Sequence, residues 1–469
     1  MPPAVPEKAC RTFGRALVLG LGLLLACCSK RPDSSKGGSA VDGSAHTAGD
    51  RSVSGAPPLC SATPEHGEFA IGPVDEAPSD ELPEDVPFGV TVGNAVTWSR
   101  GFAVSAVEDR TKGAVALVAL VGPNAESGRL VELGKVYGDP DPPELAVAGD
   151  GLLLAVVGMD TQGRRLRLAR MSDAGSASVE WLGEISLAAD ESAAVGLAAA
   201  EKRALLTWIL PDPESKHARV RVMAFDPRAA DCKFKGLPIS AADRDAEDPA
   251  VVARPDGFWV AFVERGTSSR KTDAKPDSPP EDDGPSWRAL DLDRGELMVV
   301  ALDAKGRAVR PSIKAGPVSS HVVSFDLAAL EDGSALIAFR DNDAALGAAS
   351  TGVTLIRVGS DASVERRTVP DSEVGLGSPT LLVDRDAPAA NRVWVAIHGQ
   401  SDQLQFGNVG LDGKLIGPLR AEAELANAEP LLRAGSGLLV GRPRGRSVEL
   451  KWMACRAIEA APHNPRSKP

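Results

Sequence analysis

The sequence predicts an all-β chain folded as a seven-bladed β-propeller with four-stranded antiparallel blades. Three observations predict it: one strand recurs seven times, its copies lie near fifty residues apart, and each copy is apolar on both faces. The copies read GFAVSAV from Gly101, GLLLAVV from Gly151, RALLTWI from Arg203, GFWVAFV from Gly257, SALIAFR from Ser334, RVWVAIH from Arg392 and GLLVGRP from Gly437. One column is always aliphatic: Val104, Leu154, Leu206, Val260, Ile337, Val395 and Val440. The next is always small: Ser105, Ala155, Thr207, Ala261, Ala338, Ala396 and Gly441. An antiparallel sheet with one wet face alternates apolar and polar residues, so strands apolar on both sides need cover on both sides. Radial stacking of blades supplies that cover, with small residues where neighbours approach closely. A sandwich array or tandem Ig-like domains are the competing architectures, but Ig-like repeats call for a longer period and a buried Trp or Cys signature that is missing here.

The small column advances by 50, 52, 54, 77, 58 and 45 residues. A short strand and a tight turn precede each copy, as in PELAVAGDG (143–151) and PAVVARPDG (249–257). A third strand follows, ends in a turn such as LDAKG (302–306) or LDGK (411–414), and leads to a fourth. The long spacing of 77 comes from RGTSSRKTDAKPDSPPEDDGPSWR (265–288), which is polar, Pro-rich and charged, and reads as a disordered loop.

Ring closure is also legible. After the seventh third strand, Ser447 to Arg456, only AIEAAPHNPRSKP remains, with no fourth strand in it. EFAIGPV, Glu68 to Val74, precedes the first repeat and matches the missing strand, so the two ends of the chain are expected to share the last blade. Cys455 ends the third strand of that blade and Cys60 sits just before the strand that completes it, so a Cys60–Cys455 bridge is expected. Cys28 and Cys232 are left without an assigned pairing.

The N-terminus carries Lys8, Arg11 and Arg15 ahead of an apolar run from Ala16 to Ala26, the layout of an export signal and too short to span a bilayer. Leu24-Leu25-Ala26-Cys27 resembles the lipobox of bacterial lipoproteins. The resemblance implies cleavage before Cys27, diacylglycerol on its thiol, and a membrane-anchored place in the cell envelope, at the outer membrane. Residues 27–59 have no period and almost no large apolar residue, so they read as a lipidated flexible tether with a span of roughly 30 Å. The expected organisation is therefore signal peptide 1–26, tether 27–59, propeller 60–456 and a disordered tail 457–469.

A net charge of -12 argues against a nucleic-acid partner, because phosphate binding rests on Lys and Arg. The six His form no HExxH motif or ligand-spaced pair, and there is no CxxC, Walker loop, GxGxxG or GxSxG. Sialidase-type propellers bring a Tyr nucleophile and repeated Asp boxes. Here the only Tyr is Tyr137, and the nearest box-like string, Ser172 to Trp181, has the wrong spacing and reads as a hairpin turn. No catalytic residue is assigned.

Charge distribution says more. The loops from one blade to the next open on one face and are expected at 75–87, 138–144, 189–193, 241–248, 316–321, 371–377 and 421–429. They hold 20 acidic residues against one basic residue, Arg244, so Lys and Arg are excluded beyond what solvation requires. Asp139, Asp141 and Glu144 in DPDPPE, and Asp243, Asp245 and Asp248 in DRDAED, are the candidate binding residues. These strings bunch carboxylates as a Ca2+ site does but lack the Gly and spacing of an EF-hand loop; no other cofactor is expected. The chain resembles envelope lipoproteins that join a lipobox to a β-propeller, several of which are scaffolds. That resemblance implies a non-enzymatic module binding an envelope protein or glycan. The alternative is a polysaccharide hydrolase or lyase using channel-facing carboxylates.

Overall fold

The structure, a computed structural model, describes residues 60–62, 67–72, 87–99, 101–136, 141–160, 163–172, 178–187, 194–265, 295–316, 322–341, 352–369, 378–384, 392–398, 403–422, 425–434 and 437–455. The leader, the lipobox with Cys27, the tether, the 266–294 insert and the C-terminal tail lie outside them. Among the described residues no helix is long and apolar enough to cross a membrane.

Seven antiparallel sheets follow one another along the chain. Blade 1 comprises Pro87–Trp98, Gly101–Arg110, Gly113–Val121 and Gly128–Val136, and blade 2 Glu144–Ala148, Gly151–Asp160, Gly163–Ser172 and Val179–Ser186. Blade 3 comprises Val195–Ala200, Arg203–Pro211, Ala218–Phe225 and Leu237–Pro238, and blade 4 Asp245–Arg254, Gly257–Arg265, Gly295–Asp303 and Ile313–Lys314. Blade 5 comprises Val322–Ala329, Ala335–Asp341, Val353–Val358 and Val364–Thr368, and blade 6 Thr380–Val383, Val393–His398, Leu404–Val409 and Leu415–Glu422. Blade 7 has Glu429–Ala434, Gly437–Arg444 and Ser447–Cys455. Each first strand contacts the first strand of the next blade, and the last contacts the first, so the seven innermost strands close a ring.

The two sequence columns have distinct jobs. Alternate residues of every second strand enter two different cores, one shared with the preceding blade and one with the following blade. In blade 4, Phe258, Val260 and Phe262 pack with blade 3, whereas Trp259, Ala261 and Val263 pack with blade 5. The aliphatic column faces the preceding blade and the small column the following one throughout. The result is seven inter-blade cores rather than one central core. Close approach is most evident near the axis, where a Cβ on Gly93 in the first strand of blade 1 would meet Ser105 Oγ at 2.5 Å and Pro142 Cβ at 2.6 Å.

Closure follows the expected route with one addition. Glu68–Ile71 pairs antiparallel with the third strand of blade 7, Ile71 opposite Val448 and Glu68 opposite Lys451. A second piece, Cys60–Ala62, pairs further along the same strand, so the fourth strand of blade 7 comes in two segments. Cys60 and Cys455 are register partners and form a disulfide, with Cα atoms 4.0 Å apart, just closer than the 4.4–6.8 Å usual for a bridge. The Ser172–Trp181 string belongs to the junction of the third and fourth strands of blade 2, Val179 pairing with Met171, as the hairpin reading requires.

Two boundaries differ from the sequence reading. First strands are not uniformly short: those of blades 1 and 4 run over Pro87–Trp98 and Asp245–Arg254, the former with two register shifts, at Pro87/Gly89 and Val92/Ala95, and the latter with one, at Glu247/Ala250. Several residues assigned to inter-blade loops therefore sit in strands: Pro87, Glu144, Asp245, Glu247, Asp248, Glu422 and Glu429.

Candidate functional site

Connections from fourth to first strands and from second to third strands emerge on one face, called here the inter-blade face. Of the six candidate acids, Asp139 lies outside the described residues. Asp141 lies in the segment entering blade 2, and Glu144 opens that blade's first strand. Asp243 is exposed in a turn, Asp245 opens the first strand of blade 4, and Asp248 sits in its bulge with φ of 50°. The fold thus gathers Asp243, Asp245 and Asp248 at the mouth of blade 4 and Asp141 and Glu144 at that of blade 2, with blade 3 between. Among the described residues no three His, Cys, Asp or Glu side chains group to hold a metal ion.

The loop count misses cations delivered to this face by strand ends. Asp245 Oδ1 accepts from Ala218 N at 2.8 Å and faces His217 Nδ1 at 3.2 Å, both on blade 3. Glu247 pairs with Arg265, and Glu296 with Lys314 and with Arg244, the latter at 2.6 Å. Arg110 lies between Glu108 at 2.6 Å and Glu132 at 2.8 Å. The hydrogen bond from Lys314, then that from Arg244, holds the Glu296 carboxyl below its ordinary value despite partial burial.

Strand register reveals a second set of residues that sequence reading did not isolate. Directly opposite the small column, on the innermost strands, stand Glu144, Gly196, Ala250, Asp326, Thr380 and Glu429, with Asn94 in the equivalent place beside the blade 1 bulge. Five of these seven positions are polar. Adjacent first strands are not paired by a backbone ladder, so their amides need other partners. Asn94 Oδ1 accepts from Leu145 N at 3.2 Å while its amide donates to Leu145 O at 3.1 Å and Glu144 Oε2 at 3.3 Å. Ser105, from the small column, donates to Asn94 O at 3.2 Å. Asp326 does the same work between blades 5 and 6: Oδ2 accepts from Leu381 N at 2.7 Å and Oδ1 from Leu327 N at 2.8 Å. The column could have been found by stepping back from the aliphatic residue of each first strand, but the bulges shift the alignment.

A third irregularity concerns the second strands two residues beyond the small column. Blades 1–4 and 7 place Val107, Val157, Ile209, Val263 and Pro443 there, whereas blades 5 and 6 place Arg340 and His398. Arg340 is buried, and burial pushes its guanidinium pKa below the ordinary value. His398 Nε2 lies 3.5 Å from Glu429 Oε1, in the axial column of the next blade. On the opposite face, buried Arg433 stacks 4.0 Å over Trp394 and pairs with buried Asp384 at 3.9 Å, a joint between blades 6 and 7. Cys232, unassigned from sequence, is a buried free thiol; burial, then the neighbouring Asp231 charge, raises its pKa.

These features define a seven-bladed β-propeller whose ends share one blade, with a polar column around its axis. No sequence-family model matches the chain, and no curated protein does. Solved structures similar to it include the β-propeller domain of the Trilobed protease from Pyrococcus furiosus, at 11% identity and TM-score 0.45, covering 82% of this chain and 99% of that one. Kuenenia stuttgartiensis hydrazine synthase is similar at 13% identity and TM-score 0.45, covering 82% and 99%. An α-L-arabinanase from Penicillium chrysogenum is similar at 10% identity and TM-score 0.41, covering 73% and 92%.

Proposed function

We propose that the chain is an extracytoplasmic lipoprotein, held to a membrane by lipid on Cys27, whose propeller binds an envelope partner without chemistry through its inter-blade face. The observation that carries this reading is the placement of Cys60. It pairs with Cys455 at the end of a third strand, on the face opposite the inter-blade connections, so the segment leading back to Cys27 joins the propeller there. An anchored molecule then presents Asp243, Asp245 and Asp248 away from the lipid. Carboxylates grouped at a concave mouth add their fields and favour a basic partner. Binding without chemistry is supported by the axial carboxylates: Asp326 and Glu144 are engaged in joining blades.

The test is recovery of partners from native membranes with the lipidated chain across a salt series. Capture should fall as salt rises and should fall further when Asp243, Asp245 and Asp248 are changed to Lys than after equal changes on the opposite face. Capture indifferent to both would leave the acidic face as a solubility device. One observation favours the second reading, a polysaccharide hydrolase or lyase: Glu429 lies beside His398 at the axis. Release of reducing ends from envelope polysaccharide that is lost in Glu429→Gln would establish it instead.

A further inference from the structure

The outer wall between blades 2 and 3 holds a groove of about 520 Å³, away from the inter-blade face. Its construction starts with a bulge in the fourth strand of blade 2, between Trp181 and Gly183. The bulge turns Leu182 into the inter-blade core and leaves Trp181 41% exposed. The blade 3 connection over residues 226–236 then docks on that strand. Cys232 N donates to Leu182 O at 2.7 Å, and Arg170 donates to Pro227 O at 3.1 Å. Phe234 packs edge-on against buried Trp208 at 6.0 Å. Gly183 is required, because a Cβ there would lie 2.5 Å from Cys232 O. Both walls are therefore fixed. Between them lie the Trp181 ring, Arg167 with its guanidinium 5.5 Å from the ring centroid, Glu184 and Asp231.

We propose that this groove is a saccharide-binding site, distinct from and independent of the proposed channel-mouth surface. The occupant follows from what the groove offers and refuses. The part-exposed indole provides apolar surface beside Arg167, Glu184 is held in place by ion pairs with Arg165 and with Arg167 at 3.7 Å, and Asp231 adds an acceptor on the facing wall. An aromatic ring next to a fixed ion pair and a carboxylate suits a ligand with one C–H face and a rim of hydroxyls. An extended peptide cannot add to the strand edge here, because Cys232 N already occupies Leu182 O. A cationic group over the ring would meet Arg167, and an anionic polymer would meet the two carboxylates. An acyl chain would find one exposed apolar ring, since Leu182 is buried.

The experiment is titration calorimetry of the full chain with chitotetraose, cellotetraose and arabinotetraose in turn. Saturable binding of at least one probe is expected, weakened about tenfold or more by Trp181→Ala and less by Trp181→Phe, which keeps a ring. Asp231→Ala, in the exposed connection, should weaken the same probe and provides the reading if Trp181→Ala fails to fold. The Asp243, Asp245 and Asp248 to Lys variant should bind the probe normally even if partner capture fails. No saturable binding by the native chain at millimolar probe, or equal binding by native, Trp181→Ala and Asp231→Ala chains, overturns the proposal.

Discussion

Replacing Cys60 and Cys455 together by Ser removes the covalent closure of the ring without leaving either bridge partner as an unpaired thiol. The bridge spans a sequence separation of 395 residues, so the chain-entropy relation assigns the intact bond a stabilisation of about 6 kcal/mol at 25 °C as a ceiling. An unfolding entropy of about 2.1 cal/mol/K per residue amounts to roughly 0.8 kcal/mol/K for a ring of this size, so the full term lowers Tm by about 7 °C. The strand pairs of Cys60–Ala62 and Glu68–Ile71 remain in the variant, and Ile71 stays a buried member of the core between blades 7 and 1. The loss should thus appear first as local opening of blade 7. Calorimetry of oxidised native and double-Ser chains, with hydrogen exchange over residues 60–71, reads both effects. Unchanged Tm together with unchanged protection of those amides would show that strand pairing alone closes the ring and that the entropic reasoning fails.

Two further outcomes follow from the packing and the charges. Ala261→Leu forces extra volume into the core between blades 4 and 5 and should cost about 1–3 kcal/mol in urea unfolding, whereas Ala242→Leu, at an exposed site, should stay within about 0.5 kcal/mol. Glu296, whose carboxyl is held below its unperturbed value of 4.5 chiefly by Lys314 and then Arg244, contributes stability above that value that is lost as pH falls through its lower folded value. Glu296→Gln should therefore lower the urea midpoint at neutral pH and flatten its acid limb, and an unchanged acid limb would contradict the assignment.

Blade number, second-strand register and closure were legible because they rest on residues that must be apolar or small wherever two sheets meet. Val260 and Ala261 differ by one position and face different neighbours, and that alternation is visible without coordinates. The Cys60–Ala62 segment was not legible, since three residues carry no period and only pairing with Met453–Cys455 defines them. The same holds for Leu237–Pro238 and Ile313–Lys314, fourth strands of two residues each. Asp245 and Asp248 read as loop because the start of that strand is polar, and its bulge breaks the period of two. The axial column from Asn94 to Glu429 was obscured for the same reason. The acidic excess on the loops was legible, but Arg110, His217 and Arg265, which meet Glu108, Asp245 and Glu247, come from strand ends and adjoining turns that a loop count omits.

The position of the disulfide also sets how the propeller bears a pull. Traction on the segment ahead of Cys60, against resistance anywhere in the ring, would without the bond act on the outer edge of blade 7 one residue pair at a time. Cys60, Ser61 and Ala62 would peel first and Glu68 to Ile71 after them, the weak geometry for a strand edge. With Cys60 bonded to Cys455, the load leaves the incoming segment at its first paired residue and passes into the third strand of the blade. That strand is flanked on its other side by Gly437–Arg444 from Ser447 to Ala454, the residue next to Cys455. The peeling edge therefore carries no tension, and the load is shared in shear by a long strand pair at the heart of the closing blade.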